Sequence, residues 1–171
     1  MNILGKFLTI GVLLAVGACA NQNGFDSDGP GGNGITDGSL LDDGSASDPT
    51  SIAFFQQSVG DRVVFAVDQS SLTDTARSIL NAQAEWLKAN PDYSAIIEGH
   101  ADEQGTREYN LALGARRANA AKEYLESRGV AGGRLQFVSF GKERPIEICS
   151  DESCYAKNRR AVTLLSSDLT G

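Results

Sequence analysis

Asp102 and Arg117 are the two residues whose types and spacing best suit them to chemistry, fifteen positions apart in the stretch IIEGHADEQGTREYNLALGARRANAA. Tyr109, Leu113, Ala120 and Tyr124 recur at helical spacing and predict the inward stripe of a helix from Thr106 to Arg128. Arg117 falls in that stripe, roughly 40° from Leu113 at about 100° per residue, whereas Arg116 falls near its edge. A guanidinium cannot be discharged and is costly to bury alone, so Arg117 should meet a carboxylate, either the protein's own or a ligand's. Asp102 opens a glycine-containing loop that feeds this helix. The two residues therefore either bridge each other or form a site in which arginine holds a carboxylate and aspartate accepts from a cation. Asn110 and Leu113 share the helix face ahead of Arg117, where they would shape such a pocket, Leu113 equally as plain core.

Catalysis is the rival chemistry. His100 stands beside Asp102, and serines lie elsewhere, yet no nucleophile motif such as GxSxG accompanies them. Asp68, Glu98 and Asp102 would supply carboxylates for a muramidase-like reaction, but a carboxylate paired with arginine makes a poor general acid. No catalytic residue is assigned, and no cofactor. A metal centre is disfavoured because a CxxxxC pair with a single histidine offers too few soft ligands.

Positioning these residues requires a compact domain. SIAFFQQSV, Ser51 to Val59, favours a short helix; Arg62 to Phe65 reads as a strand after the Gly60-Asp61 turn. Leu72 to Ala89 reads as a helix N-capped by Thr73, with Ile79, Leu80, Ala82, Ala84, Trp86 and Leu87 inward and Asn90-Pro91 as its stop. Tyr93 to Glu98, Leu135 to Phe140 and Ala161 to Ser166 read as strands, and Arg128-Gly129 closes the helix carrying Arg117. Strand, helix, strand, helix, strand, loop and strand predict an α/β (α+β) two-layer sandwich: a βαβαβ-type core whose mixed four-stranded sheet carries helices on one face.

The chain around this domain is partitioned by composition. Residues 1–18 read as a secretory signal, with Lys6 followed by an apolar run from Phe7 to Val16 too short to span a bilayer comfortably. That run ends in Val16-Gly17-Ala18-Cys19, which resembles the lipobox of bacterial lipoproteins and so implies cleavage before Cys19 and acylation of its thiol. Residues 19–49 hold six aspartates and no basic residue among many Gly, Ser and Asn, the composition of a disordered tether. From Thr50 to Gly171 the chain has 16 acidic and 14 basic residues, so the acidity belongs to the tether and no basic patch argues for nucleic acid. With Cys19 assigned to lipid, Cys149 and Cys154 remain as a pair expected to oxidise outside the cytoplasm. Closing so short a loop contributes only roughly 2 kcal/mol in the chain-entropy model.

EGHADEQGTREYNLALGARRANAAKEYL, VSFGKERP and AKNRRAV, in this order and spacing, resemble the OmpA-like peptidoglycan-binding domain. Lipobox and tether together point, within that family, to the peptidoglycan-associated lipoproteins of the Tol-Pal system. The resemblance implies an OmpA-like fold and a site for meso-diaminopimelate of the peptidoglycan stem peptide, with Phe65, Asp68, Asp102, Asn110, Leu113 and Arg117 as binding residues. Asp68 has a second reading as decoration of the next helix N-terminus, and Ala66 stands where many members place an acid directly after the phenylalanine. Asn158-Arg159-Arg160 belongs to the signature either as a loop anchor or as a glycan contact. The resemblance further implies peptidoglycan and TolB as partners, an outer-membrane lipid anchor at Cys19, a periplasmic domain and a part in cell division. The alternative is a structural lipoprotein with this domain outside the Tol system.

Overall fold

The computed structural model describes residues 44–167. The signal segment, Cys19 and the tether up to residue 43 lie outside the described residues. In chain order the elements are α1 (Ile52–Phe54), a π-helical turn (Phe55–Gly60), β1 (Arg62–Val64), α2 (Asp74–Ala89), β2 (Ser94–His100), α3 (Arg107–Ser127), a 3-10 turn (Gly132–Arg134), β3 (Leu135–Gly141), α4 (Glu152–Asn158) and β4 (Arg160–Ser166). The sheet order is β1-β4-β2-β3, with β4 antiparallel to both neighbours and β2 parallel to β3. A parallel β2–β3 pair needs a crossover, and α3 is that crossover. The expected mixed sandwich is the fold found.

Local chemistry explains the helix boundaries. Thr73 Oγ1 accepts from Ala76 N at 3.1 Å, and Thr106 Oγ1 from Tyr109 N at 3.2 Å, each cap satisfying an otherwise orphan first-turn N–H. The core joins Leu80, Ala84 and Leu87 of α2 and Ala118, Ala121 and Leu125 of α3 to Val63, Ala95, Ile97, Leu135 and Ala161 of the sheet. Each fully buried leucine or isoleucine contributes about 1.5–3 kcal/mol relative to exposure. Within the sheet, Val64, Val138 and Leu164 are exposed.

Several expectations need correction. The buried stripe of α3 is Asn110, Leu113, Gly114, Arg117, Ala118, Ala121 and Leu125, with Tyr109 exposed and Ala120 and Tyr124 only partly covered. The aromatic residues had drawn the expected stripe one position too early. On α2, Ala82 is exposed while Gln83 is fully buried, donating to Gly60 O at 2.6 Å and accepting from Thr163 Oγ1 at 2.8 Å. The interval read as loop before the last strand contains α4, capped by Asp151, which accepts from Ser153 N and Cys154 N. Near the start, Pro49 O accepts from the indole N–H of Trp86 at 2.8 Å and Ser45 O from the Ser51 hydroxyl at 2.7 Å, so the domain's hydrogen bonds reach upstream of Thr50 to Ser45.

Two glycines set the distance between α3 and the sheet. A Cβ on Gly99 would lie 1.9 Å from Gly114 O, and one on Gly114 would lie 2.4 Å from Ser139 Oγ. Helix and strand therefore touch backbone to backbone at this level. That contact brings the next turn of α3, with Arg117, beneath the end of β2.

Candidate ligand-binding site

A pocket of about 240 Å³ opens beyond the C-terminal end of β2. Val67 and Asp68 of the β1–α2 loop form one wall, Asp102, Gln104 and Gly105 of the β2–α3 loop the other, and Tyr109, Asn110 and Leu113 of α3 the floor. Asn110, 1% exposed, donates its side-chain amide to Gln104 O at 2.7 Å and so fixes the second wall from within. Gly105 takes φ +91°, a left-handed turn in which a side chain would be strained.

Arg117 is fully buried directly behind this pocket and holds its two walls together. Nε donates to Gln69 O at 2.8 Å and Nη2 to Ala66 O at 3.1 Å, both in the first wall; Nη1 donates to His100 O at 2.9 Å, at the root of the second. The Phe65 ring lies 5.3 Å from its guanidinium carbon, so Phe65 supports Arg117 and does not line the pocket. Of the two partners expected for Arg117, the protein's own carboxylate makes no direct contact: three carbonyl dipoles receive the guanidinium, and Asp102 and Asp68 act on it through space. Burial pushes its pKa down to about 10, nearby Arg159 pushes the same way, and Asp102 and Asp68 oppose them. It stays charged at neutral pH. Three of its five N–H groups are thus paired with carbonyls.

Asp102 takes its direct ion pair from Arg159, not Arg117. Arg159 is 4% exposed; Nη1 lies 3.2 Å from Asp102 Oδ2, and Nη1 and Nη2 both donate to Glu152 of α4. Its Nε donates to Phe65 O at 3.2 Å, and its own carbonyl accepts from Phe65 N at 2.9 Å. The hydrogen bond to Glu152 raises the Arg159 pKa, ahead of the opposing effect of burial. Arg159 therefore anchors the site from behind, an arrangement that matches the loop-anchor alternative for Asn158-Arg159-Arg160. Arg160 donates to the carbonyls of Asn158 and Arg144 and does not line the pocket.

Asp68 lies in the pocket wall with φ 56°, a left-handed conformation uncommon for a residue with a side chain. Its carboxylate accepts from the Tyr109 hydroxyl across the floor, and that hydrogen bond raises the Tyr109 pKa. The cap of α2 is Thr73, so Asp68 does not decorate that helix terminus. The sequence brought Asp68, Asp102, Asn110 and Leu113 to the pocket and missed Val67, Gln104, Gly105 and Tyr109. Only the loop's glycine hinted at a wall there. Ala66, where the usual acid is missing, contributes its carbonyl to Arg117.

His100 and Glu98 do not line the pocket. The imidazole stacks on Phe140, centroids 5.7 Å apart, with Glu98 Oε2 3.3 Å from Nε2. Burial, with Arg160 and Arg144 nearby, pushes the His100 pKa down to about 4. The carboxylates considered for a muramidase are thus divided between two places. Cys149 and Cys154 form a disulfide with their Cα atoms 5.9 Å apart, at the entry to α4.

A sequence profile of the OmpA family matches residues 64–159. The chain is 48% identical over 152 residues to the peptidoglycan-associated lipoprotein of Rhizobium meliloti (strain 1021), covering 89% of this chain and 82% of that protein. It is 39% identical over 163 residues to the Pseudomonas aeruginosa protein of the same name, covering 91% of this chain and 94% of the relative. Among solved structures, the peptidoglycan-associated lipoprotein from Burkholderia pseudomallei superposes with TM-score 0.63 at 37% identity, covering 71% of this chain and 98% of that one. The C-terminal domain of Helicobacter pylori MotB, at 21% identity and TM-score 0.59 over 64% of this chain and 86% of that one, shares the fold.

Proposed function

The chain belongs to the OmpA family and, within it, to the peptidoglycan-associated lipoproteins, and we propose that it grips peptidoglycan noncovalently through the meso-diaminopimelate of an uncrosslinked stem peptide. One observation carries this reading: an aspartate stands in each wall of the pocket while a buried guanidinium, three of its five N–H groups paired with carbonyls, lies behind it. The free end of diaminopimelate presents an ammonium and a carboxylate on one carbon. Asp68 and Asp102 suit the ammonium, and Arg117 suits the carboxylate, as a bidentate fork or through its positive field. Tyr109 yields its hydrogen bond on Asp68 to the incoming cation. The role is binding only, with no bond broken.

Lipid on Cys19 supplies the second attachment in this proposal, placing the domain in the periplasm on an outer-membrane anchor. Among the described residues no helix is long and apolar enough to cross a membrane. The resemblance to the Tol-Pal lipoproteins carries the remaining part, TolB as a periplasmic partner and a role in drawing the outer membrane inward at division. The test is sedimentation of the mature chain with purified sacculi, with and without free meso-diaminopimelate. The chain should pellet with the wall, the free amino acid should release it, and the muropeptide profile should be unchanged after prolonged incubation. Pelleting indifferent to diaminopimelate would remove this ligand from the proposal.

A further inference from the structure

The Cys149–Cys154 bridge closes too short a loop to matter greatly to global stability. Its position is more telling, because two separate contacts run from the stapled segment to the pocket wall. In the first, Ser150 Oγ and Tyr155 Oη both donate to Glu103 Oε1, at 3.1 and 3.0 Å. Glu103 stands between Asp102 and Gln104, so it fixes from outside the loop that Asn110 fixes from inside. In the second, Glu152 accepts from Arg159, whose Nη1 reaches Asp102 Oδ2 at 3.2 Å. Ser150 and Glu152 lie within the bridged interval, and Tyr155 follows it directly.

Helix α4 has seven residues, too few to persist without outside support. Its first turn is held by the Asp151 cap and by the disulfide. We propose that the Cys149–Cys154 disulfide is a positioning device for the ligand site: it holds Ser150, Glu152 and Tyr155 in register with Glu103 and Arg159, and through them sets the wall that carries Asp102. This rests on the pocket being the peptidoglycan site. The cysteines touch no ligand; they lower the cost of ordering the wall when ligand arrives.

The experiment uses the mature full-length protein in detergent micelles, oxidised or treated with a phosphine that converts the bridge to two thiols and is itself oxidised to the phosphine oxide. Two readouts are taken: affinity for a soluble stem peptide ending in meso-diaminopimelate, and amide hydrogen exchange across residues 102–105. Reduction should weaken binding roughly three- to tenfold, the scale of ordering one or two side chains on binding, and speed exchange at Glu103, Gln104 and Gly105. The Cys149→Ser/Cys154→Ser double variant should reproduce both effects without reductant. Glu103→Ala should also weaken binding, and reduction should add little in that background, whereas Glu103→Gln, which keeps an acceptor, should largely preserve both the affinity and the response to reduction. Unchanged exchange at these amides on reduction would overturn the inference, as would fully additive losses from reduction and Glu103→Ala. If the oxidised protein binds no stem peptide while reduction still speeds exchange, the positioning role stands and the ligand assignment fails.

Discussion

Complete burial of a guanidinium leaves five N–H groups to satisfy, and Arg117 satisfies three with carbonyls of the β1–α2 loop and of the end of β2. Removing it therefore unpairs three acceptors as well as deleting a charge, at a stability cost on the order of 3–5 kcal/mol. Arg117→Ala should lower the unfolding midpoint sharply and lose sacculus binding, so its binding defect alone would be ambiguous. Asp102→Asn keeps shape and, if Asp102 meets the ligand ammonium in a desolvated site, should cost about 2–5 kcal/mol of binding. Arg116→Ala, at an exposed position, should leave sedimentation close to wild type. Equal binding by folded Asp102→Asn and Arg116→Ala proteins would remove Asp102 from the site. His100 offers a separate test through pH. Its pKa is pushed down to about 4 by burial, with Arg160 and Arg144 adding to the effect, while Glu98 lies beside it. The unfolded chain takes up a proton below about pH 6.5 that the folded chain refuses. The contribution is thus complete above that pH and shrinks as pH falls toward 4, by about 3 kcal/mol at most. Urea unfolding of His100→Gln should show a shallower loss of stability between pH 7 and 4.5 than the wild type; parallel curves would refute the burial effect. Sequence made Arg117 conspicuous because a cation interrupts a buried face. It hid the pairing of Arg159 with Asp102, because that approach depends on how the chain folds between residues 57 positions apart.

Elements are placed by backbone contacts that leave little trace in composition. Gly114 sits on the inner face of α3, where a methyl group would lie 2.4 Å from Ser139 Oγ and 2.8 Å from Gly99 O. In a helix facing open space, glycine to alanine would stabilise by up to about 1 kcal/mol. Here the added Cβ must displace helix or strand, and overpacking of this kind costs about 1–3 kcal/mol. Gly114→Ala should therefore lower the thermal midpoint, and by lifting the Arg117 turn it should also weaken sacculus binding. A raised midpoint would mean that α3 is free to shift. Helices α2 and α3 were legible because each opens on a threonine cap and runs long enough for period to emerge. The stripe of α3 was set one residue early because only Leu113 and Leu125 on its buried face are large and apolar, the rest being Asn, Gly, Arg and Ala, so exposed Tyr109 outweighed it. Helix α4 escaped because seven residues bearing two of the segment's polar anchors show no apolar period, although Asp151 followed by Glu152 is a helix-start signal.

At the scale of the whole molecule, the proposal requires two attachments of different physics joined by an acidic tether. Folding energetics made the domain legible, since its caps, alternating strands and buried aliphatics all favour one sandwich, while residues 1–43 carry their meaning in composition and a cleavage motif. A tether of about 30 residues has an r.m.s. span of roughly 30 Å and a stretched limit near 100 Å. On the proposed arrangement such a length would let the domain reach the wall while its lipid stayed in the membrane. Each buried methylene contributes about 0.8 kcal/mol, so several acyl chains on Cys19 would make membrane release negligible, whereas the proposed wall contact would be reversible. The two links should fail independently. Cys19→Ala removes the thiol at the cleavage site and should leave an unlipidated protein that no longer fractionates with membrane after wall digestion, yet still sediments with isolated sacculi. Asp102→Asn should do the reverse, staying with the membrane and failing to sediment with sacculi. The double variant should lose both associations, and only the wild type should co-purify outer membrane with wall fragments. If Cys19→Ala still fractionates with the outer membrane once peptidoglycan is digested, lipid on Cys19 is not the membrane anchor.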